Sequence, residues 1–462
     1  MNEVVKWLVL VGALGGLLGG CGSSSSGGGS SVGFVQVVNG IEDSPALSIE
    51  ITDDDDTVVE SINTLNFAGA SQRSSLSRGS YEIEVSFEDP ATGFDERLLT
   101  QEFDITSDTT FTVVLAGTFA DARIVLLERP DSDATEVDSD QIEVVAVNLS
   151  SASYDVHLGQ DEDGTTADNL VGTLTAGTNT APVVFTYDED ADYHVRLVAD
   201  GANSLVYDSG EVPVAESSRL MVVVTDSTGA DTTRPAAFVV RDTGATASAN
   251  LLAEASFLVV NGVGDAASVD ARVTVAATGD DLLNVSLGFS ESSTSATSGE
   301  NFVDIVATTA TDPSVSYQAT VSLNEDTAYS LTVAGGSVDE DVSIRANERD
   351  LRRVANGVNL HFVNTLRETD DEDSSEVDFY ALTLGESLSD TAPVATAVEF
   401  LEGVSAVVGA TPYDLVVTTT GTQSILAGPA RIFPDGGERL IVISSEAAGG
   451  GEPYQVQVVA DD

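Results

Sequence analysis

Three histidines are the side chains of this sequence best suited to acid–base chemistry or to holding a metal ion. His157 and His194 lie in the segments YDVHL and DYHVRL, where alternation places them, with Arg196, on the outer faces of strands, and His361 stands alone. Two histidines flanked by aspartates suit zinc, but only if the two segments are neighbouring strands. The sequence favours the alternative, a polar strand face. We therefore predict no metal site, no cofactor and no catalytic residue.

Five clusters of acidic residues are further candidates, because carboxylate oxygens are the ligands that Ca²⁺ prefers. They are Asp53–Asp56, Asp161–Asp163, Asp188–Asp190, Asp339–Asp341 and Asp370–Asp373. None reproduces the twelve-residue calcium loop with its glycine and terminal glutamate. We expect hairpin tips that their charge keeps soluble, with weak binding of divalent cations as the alternative.

A formal match to the G-x-S-x-G motif, Gly29–Gly33, follows a segment made of glycine and serine. A nucleophile elbow needs a strand before the serine and a helix after it, whereas here a linker precedes the serine and a strand follows. The sequence also lacks a phosphate-binding loop and a zinc-protease helix. It therefore does not predict an enzyme.

The charge of the chain excludes one large class of partner. The chain has 76 acidic and 18 basic residues and a formal net charge of −58. Its one lysine, Lys6, lies near the N-terminus, and the other basic residues are 17 arginines. A surface this acidic repels a phosphate backbone, so we predict no binding to nucleic acid. Anionic lipid repels it as well, so attachment to a membrane requires a covalent anchor.

The N-terminus supplies a candidate anchor. The apolar segment Trp7–Leu18 is too short to span the roughly 30 Å of hydrocarbon in a bilayer, and its length is typical of a signal-peptide core. The residues after it, LGGC, resemble the lipobox of bacterial lipoproteins and end at Cys21, the only cysteine. We predict a lipoprotein signal peptide at 1–20, then a lipidated Cys21 and a Gly/Ser tether at 21–31. The chain would be exported and attached to the membrane through acylated Cys21, at the outer membrane or cell surface of a bacterium.

The rest of the chain repeats four times, in units of about 105 residues, the size of an immunoglobulin-like sandwich. Each unit opens with a strand that ends in Val-Asn and later has an aromatic residue that opens an alternating strand. The asparagines are Asn39, Asn148, Asn261 and Asn364, and the aromatic residues are Tyr81, Tyr193, Phe302 and Tyr413. Period-2 alternation predicts an all-β chain of four tandem antiparallel immunoglobulin-like β-sandwich domains. We place them at 32–130, 139–243, 254–350 and 354–462, with short polar linkers at 131–140, 243–253 and 350–357 and an elongated array.

The first repeat carries a resemblance that can be named. Its Val37-Val38-Asn39, Leu76, Gly79-Ser80-Tyr81 and Thr112–Gly117 resemble the bacterial domain of unknown function family 4397. Repeats two to four depart from this pattern, because aspartate precedes Tyr193 and Phe302 replaces the tyrosine. The resemblance implies secreted or surface-attached β-sandwiches without established catalytic residues, so it transfers no site.

These observations predict a non-catalytic surface lipoprotein of the cell envelope with a structural or interaction role. The alternative is a binding module or adhesin for extracellular glycans or for a partner protein of the envelope, acting through loops of one or more domains.

Overall fold

The computed structural model describes residues 32–89, 94–130, 137–138, 140–160, 164–202, 204–336, 341–366, 376–448 and 453–460. The predicted signal peptide at 1–20, Cys21 and the tether at 21–31 lie outside the described residues. So do Asp161–Asp163, Asp370–Asp373, Asp339 and Glu340. The described residues contain no helix long and apolar enough to cross a membrane.

The first two units are built from short strands, and the described residues of each include one 3₁₀ turn. Unit 1 has β1 (Val32–Asn39), β2 (Leu47–Asp53), β3 (Val58–Leu65), β4 (Ser74–Ser77), β5 (Gly79–Asp89), β6 (Phe94–Ile105), β7 (Thr109–Ala116), a turn at Phe119–Asp121 and β8 (Arg123–Pro130). Unit 2 has β9 (Gln141–Asn148), β10 (Tyr154–Gln160), a turn at Ala167–Asn169, β11 (Leu170–Leu174), β12 (Val183–Thr186), β13 (Tyr193–Ala199), β14 (Leu205–Val212), β15 (Ser218–Asp226), β16 (Pro235–Arg241) and β17 (Gly244–Ser248).

The last two units repeat this sequence of strands. Unit 3 has β18 (Ala255–Gly262), β19 (Ser268–Val275), β20 (Asp281–Gly288), β21 (Ala296–Ser298), β22 (Phe302–Thr309), β23 (Ser316–Ser322), β24 (Ala328–Gly336) and β25 (Asp341–Arg349). Unit 4 has β26 (Gly357–Asn364), β27 (Val377–Thr383), β28 (Ala395–Val398), β29 (Gly403–Gly409), β30 (Tyr413–Thr419), β31 (Ile425–Ile432), β32 (Arg439–Ser445) and β33 (Gln455–Ala460).

Each unit is a sandwich of two sheets, which confirms the predicted all-β fold of tandem sandwiches. In unit 1 the sheets have the orders β4-β1-β7-β8 and β3-β2-β5-β6, and units 3 and 4 each have two four-stranded sheets built around the same pairings. The opening strand pairs in parallel with the seventh strand in every unit, so the sandwiches are not wholly antiparallel. In an immunoglobulin constant domain the first, second, fourth and fifth strands share a sheet, and that order is not found here. Alternation reveals which face of a strand is buried, but it does not reveal the neighbouring strand or its direction.

Unit 2 differs from the others by one added strand. β17 pairs with β16 at the edge of its sheet, although its sequence, GATAS, falls in the linker predicted at 243–253. An edge strand can be held by backbone hydrogen bonds alone, so its small polar side chains give no alternating signal.

The four repeated asparagines connect the two sheets of each sandwich. All four are fully buried at the end of the opening strand. Their side-chain amides donate to backbone carbonyls at the end of the third strand, those of Leu65, Leu174, Leu287 and Val398. Their Oδ1 atoms accept the N–H of the residue two positions later, in Ile41, Ser150, Val263 and Leu366. The Val-Asn motif is therefore structural, because it satisfies buried backbone groups at a strand end.

The repeated aromatic residues are less uniform. Tyr81 and Tyr413 are buried in the cores of units 1 and 4, and the Tyr81 hydroxyl donates to the carbonyl of Ser77 at 2.8 Å. Phe302 opens β22 but is 57% exposed, and the next residue, Val303, enters the core instead. The register makes Val303, opposite Val275, the counterpart of Tyr81, opposite Asp53. The strand therefore keeps its core face, and Phe302 does not occupy the repeated aromatic position.

The units pack against one another through the sheets that contain their opening strands. Val38 and Val114 of unit 1 join Val147 and Val223 of unit 2 in one apolar cluster. Leu258 and Val260 of unit 3 join Val363, Ile441 and Ile443 of unit 4 in an equivalent cluster. Because both faces of these sheets are covered, each opening strand has two apolar residues in succession before its asparagine.

Two further contacts join units 2 and 3 and join units 4 and 1. Between units 2 and 3, the N–H of Ala230 donates to the carbonyl of Asp326 at 3.4 Å. Between units 4 and 1, the N–H of Ala355 donates to the carbonyl of Asp43 at 2.7 Å, and Arg352 donates to the carbonyl of Ser44 at 2.8 Å. The prediction of an elongated array is therefore wrong. The polar segment at 350–357 is a contact surface between units 4 and 1, a role that its composition does not reveal.

Candidate functional site

The two histidines of unit 2 lie on neighbouring strands, but each has a protein partner. β10 pairs with β13, which places His157 opposite Arg196. The Nδ1 atom of His157 lies 2.9 Å from Oδ1 of Asn169, and that of His194 lies 2.8 Å from Oδ1 of Asp208. Among the described residues, no group of three or more His, Cys, Asp or Glu side chains is placed to hold a metal ion.

Asp208 is the centre of this polar cluster. The Nε atom of Arg196 donates to Oδ2 of Asp208 at 2.8 Å. Burial alone would raise the pKa of Asp208, but hydrogen bonds from Arg196 and His194 outweigh it and lower that pKa below its usual value. On the outer face of β13, His194 and Arg196 are 9% and 5% exposed. We interpret the cluster as an ion pair that stabilises this face of unit 2.

His361 occupies a different place, inside the contact between units 3 and 4. Its Nε2 lies 2.9 Å from Oγ of Ser330 in unit 3, and its Nδ1 lies 3.1 Å from Oγ of Ser405 in unit 4. Burial, with a smaller contribution from the charge of Arg349, lowers the pKa of His361 to about 3. The ring is therefore neutral at pH 7 and joins the two units by hydrogen bonds.

The acidic clusters that the structure describes are turns. Oδ1 of Asp53 accepts the N–H groups of Asp55 and Thr57 at 3.0 and 2.9 Å, and Oδ1 of Asp188 accepts the N–H of Asp190 at 3.1 Å. These bonds stabilise hairpin tips and loops, as short acidic side chains commonly do. Weak binding of divalent cations at such tips stays a prediction.

A cleft that the sequence did not predict lies where the four units meet. Its volume is about 580 Å³, and every unit contributes to its lining. Four arginines face it: Arg349 at the end of β25, Arg352 and Arg353 in the junction between units 3 and 4, and Arg439 at the start of β32. In a chain of 17 arginines and net charge −58, this is a marked local concentration of positive charge.

Backbone carbonyls hold these side chains in place. Arg353 donates to the carbonyl of Gly437 at 3.2 Å, and Arg439 donates to that of Leu351 at 3.2 Å. The bond from Arg352 to unit 1 crosses the cleft between units 4 and 1. Burial lowers the pKa of the Arg352 guanidinium below its usual value, because a charged group is being removed from water.

Two carboxyl groups of unit 1 also line the cleft. Oε1 of Glu42 accepts the N–H of Asp226 at 3.0 Å, and Oδ1 of Asp43 accepts the N–H of Phe119 at 2.7 Å. Burial, followed by the charge of Asp226, raises the pKa of Glu42 to about 7. Near neutral pH, Glu42 is therefore protonated in a large fraction of molecules, and the lining carries more positive than negative charge.

Hydroxyl groups form most of the remaining lining. They belong to Ser227, Thr228, Thr232, Ser256, Ser295 and Thr297. Ser256 is 4% exposed, and its Oγ has no hydrogen-bond partner among the described residues. A buried hydroxyl without a partner costs free energy, and at the lining of a cleft either water or a bound group can supply that partner.

Only one sequence signal could have led to this cleft. Arg345, Arg349, Arg352 and Arg353 fall within nine residues of a chain that is poor in basic residues, and the sequence interpretation assigned part of this segment to a linker. That residues of four units line one cleft depends on how the units pack, which no local sequence pattern encodes.

Comparison with known proteins supports the resemblance of the first unit. Residues 33–159 match the sequence profile of the Domain of unknown function (DUF4397). No curated protein matches the chain. The solved structure "The Bacillus anthracis TIE protein" is similar over 91% of this chain and 75% of that one, at 8% identity and a TM-score of 0.16.

A second solved structure, "Ca2+-stabilized adhesin helps an Antarctic bacterium reach out and bind ice", is similar over 94% of this chain and 99% of that one, at 12% identity and a TM-score of 0.11. TM-scores this low carry no argument about fold or function for either structure. The resemblance of this chain to the domain of unknown function family 4397 is confirmed over residues 33–159, which span the first sandwich and the opening strands of the second.

Proposed function

We propose that the protein is a non-catalytic cell-envelope lipoprotein, exported and held at the outer membrane or cell surface by acylated Cys21, with an interaction role. The lipobox-like LGGC and the Gly/Ser segment after it support the anchor. The interaction role rests on one observation, the contribution of all four units to a single cleft. A spacer made of four tandem domains would not require contact between its fourth unit and its first.

The ligand in this proposal is an extracellular glycan or a partner protein of the envelope. The cleft requires residues from unit 1 through unit 4, so the assembled chain is the binding species rather than the loops of one domain. Screening the full chain against surface polysaccharides and envelope extracts tests the role. We expect at least one component to be retained, and failure to retain any of them would favour a spacer.

The anchor has its own test. Cells that produce the full chain would be grown with a fatty-acid analogue that can be labelled, beside cells producing Cys21→Ser and, as a control in the same segment, Ser24→Ala. We expect the label and membrane association in the parent and in Ser24→Ala, and the loss of both in Cys21→Ser. Persistent labelling of Cys21→Ser would contradict the anchor.

A further inference from the structure

We propose that the cleft between the four units binds a sugar acid, whose carboxylate pairs with the guanidinium groups and whose hydroxyl groups bond to the serine and threonine lining. The inference deepens the interaction role and rests on it. The shared chemistry is a polyhydroxylated carboxylate, which reaches the cleft either as a free sugar acid or as part of an acidic polysaccharide.

The charge of the lining supports an anionic ligand. Four guanidiniums, from Arg349, Arg352, Arg353 and Arg439, face the cleft with two carboxyl groups. Arg349 is 6% exposed, so part of this charge lies away from bulk water. A planar guanidinium fork binds a carboxylate by two parallel hydrogen bonds, which are stronger than bonds between neutral groups.

The contact between units 1 and 2 has arginines at the equivalent positions, Arg129 and Arg219, but a different residue opposite Arg219. In unit 4, Asn359 lies opposite Arg439 in the pairing of β26 with β32. In unit 2, Glu143 lies at the equivalent position, opposite Arg219 in the pairing of β9 with β15. Glu143 lies 3.7 Å from Arg219 and 3.6 Å from Arg129. Between units 3 and 4, an amide therefore replaces the carboxylate that two arginines share between units 1 and 2.

Space and hydroxyl groups favour a sugar over a simple inorganic ion. The position of Ser256 in β18 corresponds to Phe34 in β1, because each lies five residues before the repeated asparagine. Phe34 packs under the guanidinium of Arg73, 4.2 Å from the ring centre, whereas Ser256 brings to the lining a small side chain whose hydroxyl has no hydrogen-bond partner among the described residues. A volume of about 580 Å³ lies within the roughly 300–1,000 Å³ of small-molecule sites.

Titration calorimetry on the purified full chain tests the proposal at about 0.15 M sodium chloride, where screening acts over about 8 Å. The probes are galacturonate, galactose as its neutral counterpart, polygalacturonate and inorganic sulfate. We expect galacturonate to bind and galactose not to bind. Tighter binding of polygalacturonate per sugar would identify a polysaccharide as the source, and equal or weaker binding would identify a free sugar acid.

Three variants locate the binding. Arg353→Gln should weaken galacturonate binding about tenfold, by removal of one charge-assisted contact. Arg431→Gln is the matched control, because it removes the same charge from an exposed pair with Asp414 on another sheet of unit 4. It should leave binding unchanged. Ser256→Ala should weaken binding without lowering the melting temperature, since its hydroxyl has no bond to lose.

The outcomes are distinguishable. Equal binding of galactose, equal binding of sulfate, or no binding of any probe would overturn the sugar-acid site. Equal weakening by Arg353→Gln and Arg431→Gln would overturn its location in the cleft. Because the assay uses purified protein, galacturonate binding with persistent labelling of Cys21→Ser would overturn the proposed anchor and leave the site intact.

Discussion

The contact between units 1 and 2 and the contact between units 3 and 4 use the same sheets and the same strand register, but different side chains. In the first, Arg129 and Arg219 share Glu143. In the second, Arg349 and Arg439 occupy the equivalent strand positions, and Asn359, opposite Arg439, stands at the glutamate position.

The cavities differ accordingly. A space of about 180 Å³ lies beside Arg129, against about 580 Å³ beside Arg349. The comparison indicates that apolar residues build both contacts, and that Asn359 and Ser256 stand where the first contact has Glu143 and Phe34. The larger cleft is also lined by residues of units 1 and 2.

The largest loss of stability is expected when the contact between units 1 and 2 loses the carboxylate of Glu143. Glu143→Gln leaves Arg129 and Arg219 close together in a site where their side chains are 17% and 11% exposed. We expect the free energy of unfolding to fall by about 3 kcal/mol, the low end for breaking a buried ion pair. Urea unfolding measures it. Glu84→Gln, which removes an exposed pair with Arg97, is the control and should cost less than about 1 kcal/mol. Equal losses in both variants would show that Glu143 does not hold the contact.

Low pH should destabilise the contact between units 3 and 4, because His361 is buried there in its neutral form. The pKa of this histidine is about 3 in the folded chain, against 6.5 ordinarily, so the unfolded chain binds the extra proton between these values. Its stabilising contribution is therefore complete above pH 6.5 and is lost as the pH falls towards 3. The loss is about 1.4 kcal/mol per pH unit, or about 2 kcal/mol at pH 5. Unfolding in urea at pH 7 and 5 should show a smaller pH dependence for His361→Gln. An unchanged pH dependence would mean that the ring is not buried in neutral form.

The stabilising contribution of Glu42 should change with pH in the opposite direction to that of His361. Its pKa is raised to about 7 from 4.5, so the folded chain binds the extra proton, and this stabilisation is present below pH 4.5 and lost as the pH rises through 7. Glu42→Gln keeps an oxygen for the N–H of Asp226 and removes the charge. We expect it to stabilise the chain by about 1 kcal/mol at pH 8, a value reduced for solvent screening, and by almost nothing at pH 4. Unfolding in urea at both pH values measures this, and destabilisation at pH 8 would contradict it.

The sequence predicted the sandwiches but not their assembly, for a physical reason. Alternation in segments such as GSYEIEV encodes one buried face, and the structure buries Tyr81, Ile83 and Val85 accordingly. The opening strand FVQVVN has apolar residues on both faces, although Gln36 interrupts one of them. Those residues were a usable signal that another unit covers the strand. No such sequence signal indicated the strand directions or the contact of unit 4 with unit 1.

The candidate site was predicted even less well. The histidines of unit 2 drew attention because their residue types suit metals, yet Asn169 and Asp208 are their partners. The two contacts differ in side chains at equivalent positions, Glu143 against Asn359 and Phe34 against Ser256. Such differences become visible only when the repeats are aligned strand by strand.

The most direct test of the account introduces into the second contact the carboxylate that the first contact has. Asn359→Glu places in the second contact the residue that the first contact has, and Asn359→Gln is the neutral control of the same length. Both variants would be titrated with galacturonate after circular dichroism has confirmed the β-fold. The account predicts at least about tenfold weaker binding for Asn359→Glu than for Asn359→Gln, because the carboxylate would compete with the ligand for the arginines. Equal affinity in the two variants would contradict it.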